Sequence, residues 1–414
     1  MNVADIRTLS DKEVRQIEKL AKKTKISEML SFFEGLPRHF KVPRPLLLGS
    51  NNQFEILVDG FTTKQRAISA IRDLDEPFNP NLTLQRTLLA KRREKRLNTM
   101  RAIYSELRQG FGKVCLAEGV SECRGKIVRA HSLQKAAFRP HARNGHVYEF
   151  DPFAVKSSGI HPTLIGVNEA TTFTGFCEHH DGNLFAPIEQ QPFVGEPKQF
   201  FLYHYRAVAQ AFYSRAYKAS IFQRAFPEVN QQVPMDSLNW MTERIFLDKV
   251  DAAELRQQKL KYESRMAAQD WDAVEGYAWT GKHPPDMFAA DFFAPRKDFS
   301  GRMLQDSKSL MPLKWLSLTV TSSGGNALVL LCAERGSEVL RYVAGSLQRL
   351  PVQDRSNVIL HYVFCQLENF ILLPNWWDNV LDSDKKALVN AFNSKYFPRT
   401  LPRVCDWNLD ERAS

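Results

Sequence analysis

The stretch from Cys115 to Glu189 limits what this chain can fold into more than any other. It gathers three of the six cysteines and six of the ten histidines into less than a fifth of the length. It reads Cys115-x7-Cys123, then Arg129-Ala130-His131-Ser132, then Gly145-His146-Val147-Tyr148, then Gly175-Phe176-Cys177-Glu178-His179-His180-Asp181. Zinc takes thiolate sulfur and imidazole nitrogen in a tetrahedron, and structural sites recruit such ligands as two close pairs. Cys115 with Cys123 and Cys177 with His180 are two such pairs, which makes these four the expected ligands, with His179 as the alternative to His180. The first pair is wider than the usual knuckle of about two to four residues, so it closes an enlarged loop, and Gly119 and Gly125 relieve the backbone where that loop turns. Cys332, Cys365 and Cys405 have no partner spacing and read as ordinary buried thiols.

A short strand, Lys126-Ile127-Val128-Arg129, delivers the Ala130-His131 dipeptide, and after a variable insertion Cys177-x2-His180 opens a helix. Two thiols, a strand, a histidine, an insertion and a second ligand pair at a helix start together resemble the HNH (His-Me finger) endonucleases, over some 75 of the 414 residues. The resemblance implies a zinc-stapled ββα-metal finger in which His131 is the general base and a divalent ion, Mg2+ or Mn2+, is held nearby. His131 is then expected to deprotonate a water that attacks a phosphodiester, general-base chemistry assisted by a Lewis acid. Asp181 stands where the family commonly has a metal-binding histidine and is the implied ligand of that ion. The residue before the base, acidic in many members, is Ala130 here, and the central Asn of the family has two counterparts, Asn168 and Asn183. His141, His146 and His161 read as surface loop histidines.

Ahead of the finger, residues 83–110 carry eight basic residues against Glu94 and Glu106, a net of +6 within a chain whose total is +10. Leu97, Met100, Tyr104 and Leu107 recur at helical spacing, so this reads as an amphipathic helix with a basic face. That face is either simply solvated or a phosphate contact, in which case Arg92, Arg93, Lys95 and Arg96 are the candidates and affinity falls steeply with salt. Before it, Ser10-Asp11-Lys12-Glu13 offers N-cap chemistry for a helix reaching about Phe33, and Phe54 to Val58 reads as a strand.

After the finger a helix is expected from about Lys198 to Phe222, with Phe201, Tyr205, Val208 and Phe212 as its apolar stripe and Arg206 and Arg215 on its polar side. A charged helix follows over Asp251–Met266. Two strands, Trp315–Val320 and Ala327–Leu331, flank Ser322-Ser323-Gly324-Gly325, a strong hairpin signal, and helices complete the chain. Asn375-Trp376-Trp377 is either core or a recognition surface.

These elements predict an α+β protein with a mostly helical body, an embedded zinc-stapled ββα-metal finger and a C-terminal α+β module. The expected divisions are 1–82, an N-terminal α/β region; 83–235, basic helix, finger and packing helix; 236–308, a helical connector; and 309–414, a recognition or regulatory module. No run approaches the ~18 apolar residues of a membrane span, no basic-then-apolar leader opens the chain, and the few cysteines cluster with histidine. A cytoplasmic protein is therefore expected. The functional expectation is a metal-dependent nuclease acting on nucleic acid, DNA before RNA, with a regulatory protein partner in a defence or mobile-element setting. The alternative is a non-catalytic, zinc-stabilised nucleic-acid-binding or scaffold protein with a degenerate finger.

Overall fold

A computed structural model describes residues 7–22, 25–37, 39–48, 56–64, 67–68, 113–117, 120–156, 159–230, 235–305, 313–394 and 402–412. The protein mixes helices and strands, as an α+β chain should. It divides into two compact units, essentially residues 1–95 and residues 96–414.

In the first unit β1 (Arg7–Thr8) pairs in parallel with β2 (His39–Leu48), which pairs antiparallel with β3 (Ile56–Thr63). Helices α1 (Asp11–Lys22) and α2 (Ile26–Glu34) bury Val14, Ile17, Met29 and Phe33 with Phe40 and Val42. The expected cap forms in full: Glu13 N donates to Ser10 Oγ at 3.4 Å and Ser10 N to Glu13 Oε2 at 2.8 Å, a reciprocal capping box. Those backbone and hydroxyl hydrogen bonds from Ser10, aided by Arg7, hold the Glu13 carboxyl below its ordinary value. The single helix expected to Phe33 is two, divided after Lys22.

The second unit is built on an eight-stranded sheet of order β13-β8-β11-β10-β9-β12-β5-β6. A small hairpin lies outside it. This hairpin pairs β4 (Ile127–His131) with β7 (Thr172–Cys177), and between them come the short helix α3 (Lys135–Phe138), β5 (His146–Lys156) and β6 (Gly159–Gly166). After β7 the chain forms one π-helical turn, His180–Leu184, then α4 (Ala186–Glu189) and the long helices α5 (Pro197–Asn230) and α6 (Met235–Ala267). Strands β8 (Val274–Thr280), β9 (Met287–Phe293), β10 (Leu316–Ser323) and β11 (Asn326–Glu334) follow. Helices α7 (Glu338–Gln348) and α8 (Val352–Gln366), β12 (Phe370–Leu372), α9 (Pro374–Trp377), α10 (Asp382–Ser394) and β13 (Asp410–Arg412) complete the chain.

Strand pairing thus joins residues of the 83–235, 236–308 and 309–414 segments in one sheet, and the 236–308 segment carries β8 and β9 as well as most of α6. Strand β9 escapes a periodicity reading because both its faces are covered: every residue of Met287–Phe293 is buried, so no polar alternation marks it. On β11 the side chains alternate between two cores. Leu328, Leu330 and Cys332 pack with α5, while Val329 and Leu331 pack with Leu340 and Val343 of α7 and Ile359 and Val363 of α8. The hairpin β10–β11 turns through Gly324 and Gly325 at φ +60° and +82°, both in the left-handed region that a two-residue loop of this type requires.

Helix α5 is the hub. The expected stripe of Phe201, Tyr205 and Val208 is buried, but so are Gln199, Phe200, Leu202, His204, Arg206, Ala207 and Ala209, so the first part of the helix is buried on nearly all sides. One side meets the sheet through Phe292, Leu328 and Leu330, and another meets the segments flanking the β4–β7 hairpin through Leu116, Phe176, Phe185 and Ile188. Beneath the finger, Lys259 of α6 donates to the Leu116 carbonyl at 2.6 Å and to Glu263 at 2.5 Å, and Tyr205 donates to the same Glu263 carboxylate at 2.8 Å. Lys259 and Glu263 are both buried. Lys259→Met strands the Glu263 charge, so urea unfolding of the variant is expected to show a loss of about 3–5 kcal/mol.

Candidate functional site

The hairpin β4–β7 brings the two halves of the cysteine–histidine stretch together. Ile127 pairs with Cys177 and His131 with Thr172, so the ligand pair lies at one end of the ladder and His131 at the other. Gly125 turns the chain into β4 at φ +77°, and a Cβ there would come within 2.6 Å of Glu178 Oε2, a place where only glycine fits without displacement.

Cys115, Cys123, Cys177 and His180 form a group that can hold a metal ion, with ligand atoms all within 4.8 Å of one another. His180 Nδ1 lies 3.2 Å from Cys115 Sγ, 3.7 Å from Cys123 Sγ and 3.3 Å from Cys177 Sγ. Zinc–ligand bonds of ordinary length in a tetrahedron set sulfur–nitrogen edges of about 3.6 Å, so the dimensions are compatible with zinc. Ser121 Oγ is 2.7 Å from His180 Nε2. The hydroxyl can accept a proton held on Nε2, which leaves the Nδ1 lone pair to a metal ion, as partners of metal-bound histidines do. Cys177 N donates to Cys115 Sγ at 3.4 Å.

Three ligands are buried and Cys123 is exposed. Burial pushes the Cys115 thiol up to about 12. At Cys177 burial acts the same way, but backbone hydrogen bonds from His180 and Arg124 and the neighbouring thiols outweigh it and hold that thiol below its ordinary value. Burial also keeps the His180 imidazole toward its neutral form, which ligation requires. His179, the alternative ligand, points elsewhere: its Nδ1 is 2.9 Å from Asn183 Nδ2.

At the other end of β4, His131 is half-buried and its Nε2 is 3.2 Å from the Val167 carbonyl. A carbonyl only accepts, so Nε2 carries the proton and Nδ1 keeps its lone pair. Burial lowers the His131 pKa, with Lys135 and Arg206 acting in the same sense, and so favours the neutral ring. Asp181, on the turn that follows β7, is half-buried, and burial raises its pKa. Its carboxylate accepts no hydrogen bond among the described residues. Neither Asn168 nor Asn183 bonds to His131: Asn168 Oδ1 accepts from Lys135 at 3.4 Å, and Asn183 meets His179.

Two residues complete this site that the sequence did not single out as part of it. Arg206 of α5 is ion-paired with Glu189 at the end of α4, and both charges act on His131 and on Asp181. A lone guanidinium within the apolar run Phe200–Val208 was the available signal. Of the other histidines, His146 is exposed and bonded at Nδ1 to the Asn144 carbonyl at 2.8 Å, and His141 and His161 are half-buried. Cys332 and Cys365 are buried and Cys405 is half-buried, none of them in a disulfide. Arg92, Arg93, Lys95 and Arg96 lie outside the described residues. Among the described residues no helix is long and apolar enough to cross a membrane.

Comparison with family models, curated proteins and solved structures finds no match for this chain.

Elemental analysis of the purified protein is expected to find one metal ion per chain in the four-ligand centre, and Cys177→Ser to reduce that content severalfold. Because binding energy at such a centre is largely folding energy, the same variant is expected to lose protease resistance around residues 113–131.

Proposed function

We propose that this chain is a metal-dependent, HNH-like endonuclease that hydrolyses phosphodiester bonds of nucleic acid, DNA in preference to RNA. The observation that carries the reading is the pairing of His131 and Asp181 on one strand–strand–turn unit. The base has Nε2 committed to a backbone carbonyl, the carboxylate has no donor among the described residues, and both are exposed to the same Arg206–Glu189 charges. Cys115, Cys123, Cys177 and His180 hold structural zinc in this reading, which keeps the unit folded without entering the chemistry.

His131 Nδ1 would take a proton from a water as that water attacks the phosphorus, the P–O bond to the leaving oxygen breaks, and that oxygen takes up a proton from solvent. Asp181 would hold a hard divalent ion, Mg2+ or Mn2+, which would supply Lewis-acid stabilisation of the charge on phosphate and leaving oxygen. The Val167 carbonyl keeps the imidazole oriented through the transfer and stabilises the proton that remains on Nε2. Cysteines without disulfides suit a reducing, cytoplasmic compartment. In this scheme the basic segment 83–110 contributes phosphate contacts, and the C-terminal part meets a regulatory partner.

The deciding experiment compares wild type with His131→Ala on supercoiled plasmid, single-stranded DNA and RNA, with Mg2+ or Mn2+ and with equal zinc contents verified. The variant is expected to lose at least ~10²-fold in rate, the usual effect of removing a general base. Equal cleavage by the variant would remove His131 from the mechanism. If wild type binds nucleic acid in a salt-sensitive way and makes no metal-dependent product from any substrate, the finger is a non-catalytic binding module.

The active form needs neutral His131, and burial lowers this group from its ordinary value of 6.5. The acid limb of the pH–rate profile is accordingly expected below pH 6.5, with rate rising as pH rises through it.

A further inference from the structure

Pairing along β4–β7 ends where His131 meets Thr172, the last pair of the ladder and the one farthest from the Ile127–Cys177 pair beside the ligand group. A two-stranded ladder alone is marginal in water, and its terminal pair is where fraying begins. A catalytic side chain has to be held to within about 0.5 Å of its working position. Something besides the ladder therefore has to fix this end.

The loop 167–171, between β6 and β7, grips the base twice. Its first carbonyl, from Val167, meets His131 Nε2 at 3.2 Å. Its last, from Thr171, accepts from both N and Oγ of Ser132, the residue after the base, at 3.0 Å each. The loop is itself tied down, since Val167 N donates to the Gly145 carbonyl at 2.9 Å and Thr171 N to Glu149 Oε1 at 3.1 Å. Thr171 is buried with φ +55°, an unfavourable conformation for a β-branched residue. Strain of that kind persists where surrounding contacts over-determine it, as the bonds from Ser132 and to Glu149 do here.

The Ser132 hydroxyl is buried and also accepts a hydrogen bond, from Asn369 Nδ2 at 2.8 Å. Asn369 lies between α8 and β12, 237 residues from Ser132 along the chain. Its side-chain amide also donates to the Ala290 carbonyl of β9, and its backbone carbonyl accepts from Ala290 N at 3.1 Å. A continuous chain of hydrogen bonds thus runs from the central sheet through Asn369 and Ser132 to Thr171. Alanine would fill the Ser132 site as well as serine does, so what the hydroxyl adds is direction. We propose that Asn369 is a positioning residue for His131, acting through Ser132 to register the base, and the loop that orients its ring, on the central sheet. The inference rests on the nuclease reading for the reaction that His131 performs, while the orientation of the ring is tested apart from it.

The test combines two measurements on zinc-loaded, full-length wild type, Asn369→Ala, Ser132→Ala and the double variant. One is the nitrogen NMR spectrum of the His131 ring in 15N-histidine-labelled protein, assigned by its absence from His131→Ala. The other is kcat and KM for plasmid cleavage. Wild type is expected to show one neutral tautomer, protonated on Nε2. Asn369→Ala is expected to mix the two tautomers and to lower kcat by at least ~10-fold, within the ~10²-fold that a misplacement of about 1 Å can cost, with KM and zinc content unchanged. Ser132→Ala, which leaves the Asn369–Ala290 bonds in place, is expected to act in the same way, and the double variant to be no worse than either single one, because both changes break one connection. A single, unaltered tautomer in the folded Asn369→Ala protein, or losses of kcat that multiply in the double variant, would overturn the assignment. Should Asn369→Ala not fold, an unaltered tautomer in Ser132→Ala overturns it equally. A ring loosened in both variants of a protein that cleaves no substrate would support the positioning role and sink the nuclease reading.

Discussion

Three thiols and one imidazole, drawn from Cys115, Cys123, Cys177 and His180, converge to within 4.8 Å, and the second unit is organised around that convergence. Closing a chain over the long span from residue 123 to residue 177 has an entropic cost that grows slowly with length. The β4–β7 ladder meets that cost jointly with the ligand group. The span is also used: its strands β5 and β6 form one margin of the eight-stranded sheet, so the excursion that separates the ligand pairs is itself part of the main body. The hairpin is thereby anchored at both ends, by the ligand group near Cys177 and by the sheet near His146.

Beneath and beside the finger, packing and electrostatics divide the work. Phe176, Phe185 and Ile188 bury apolar surface against α5, and apolar contact of that kind supplies most of the stabilisation in such interfaces. The charged groups instead fix directions. Lys259, Glu263 and Tyr205 form a closed network with good hydrogen-bond lengths under Leu116. Arg215 has a different setting, with Asp248, Asp251 and Glu368 at 3.6–3.9 Å, and the attraction of Glu368 is the largest influence raising its pKa. The Arg206–Glu189 pair differs from both in that its guanidinium lies over the Phe185 ring and keeps a buried Nε with no hydrogen-bond partner among the described residues.

Local chemistry was legible wherever one residue type has one physical reason to be at a position. Gly324 and Gly325 marked a turn because the left-handed region is open to glycine, and the hairpin has that turn with the expected strands on either side. Ser10 and Glu13 marked a helix start because a hydroxyl and a carboxylate satisfy opposite orphan amides. The helix from Lys198 was visible from its stripe, although the structure extends it over Pro197–Asn230. Strand β9 was not legible, since the alternation that announces a strand disappears when both faces are covered. His180 and His179 could not be told apart either, because adjacent residues on one turn differ only in where the fold points them.

The amino-acid sequence by itself determined which residues could ligate a soft metal ion, where the strand bearing His131 runs, and that the chain is α+β. Those properties depend on residue chemistry and short-range spacing, which the linear order contains. Only the tertiary structure decided that the insertion after His131 joins the central sheet, that α5 is buried between that sheet and the segment bearing the cysteine–histidine group, and that the Arg206–Glu189 pair acts on His131. Each of these depends on contacts between segments tens of residues apart, and such contacts are chosen by how buried faces fit together rather than by any local preference of the residues that make them.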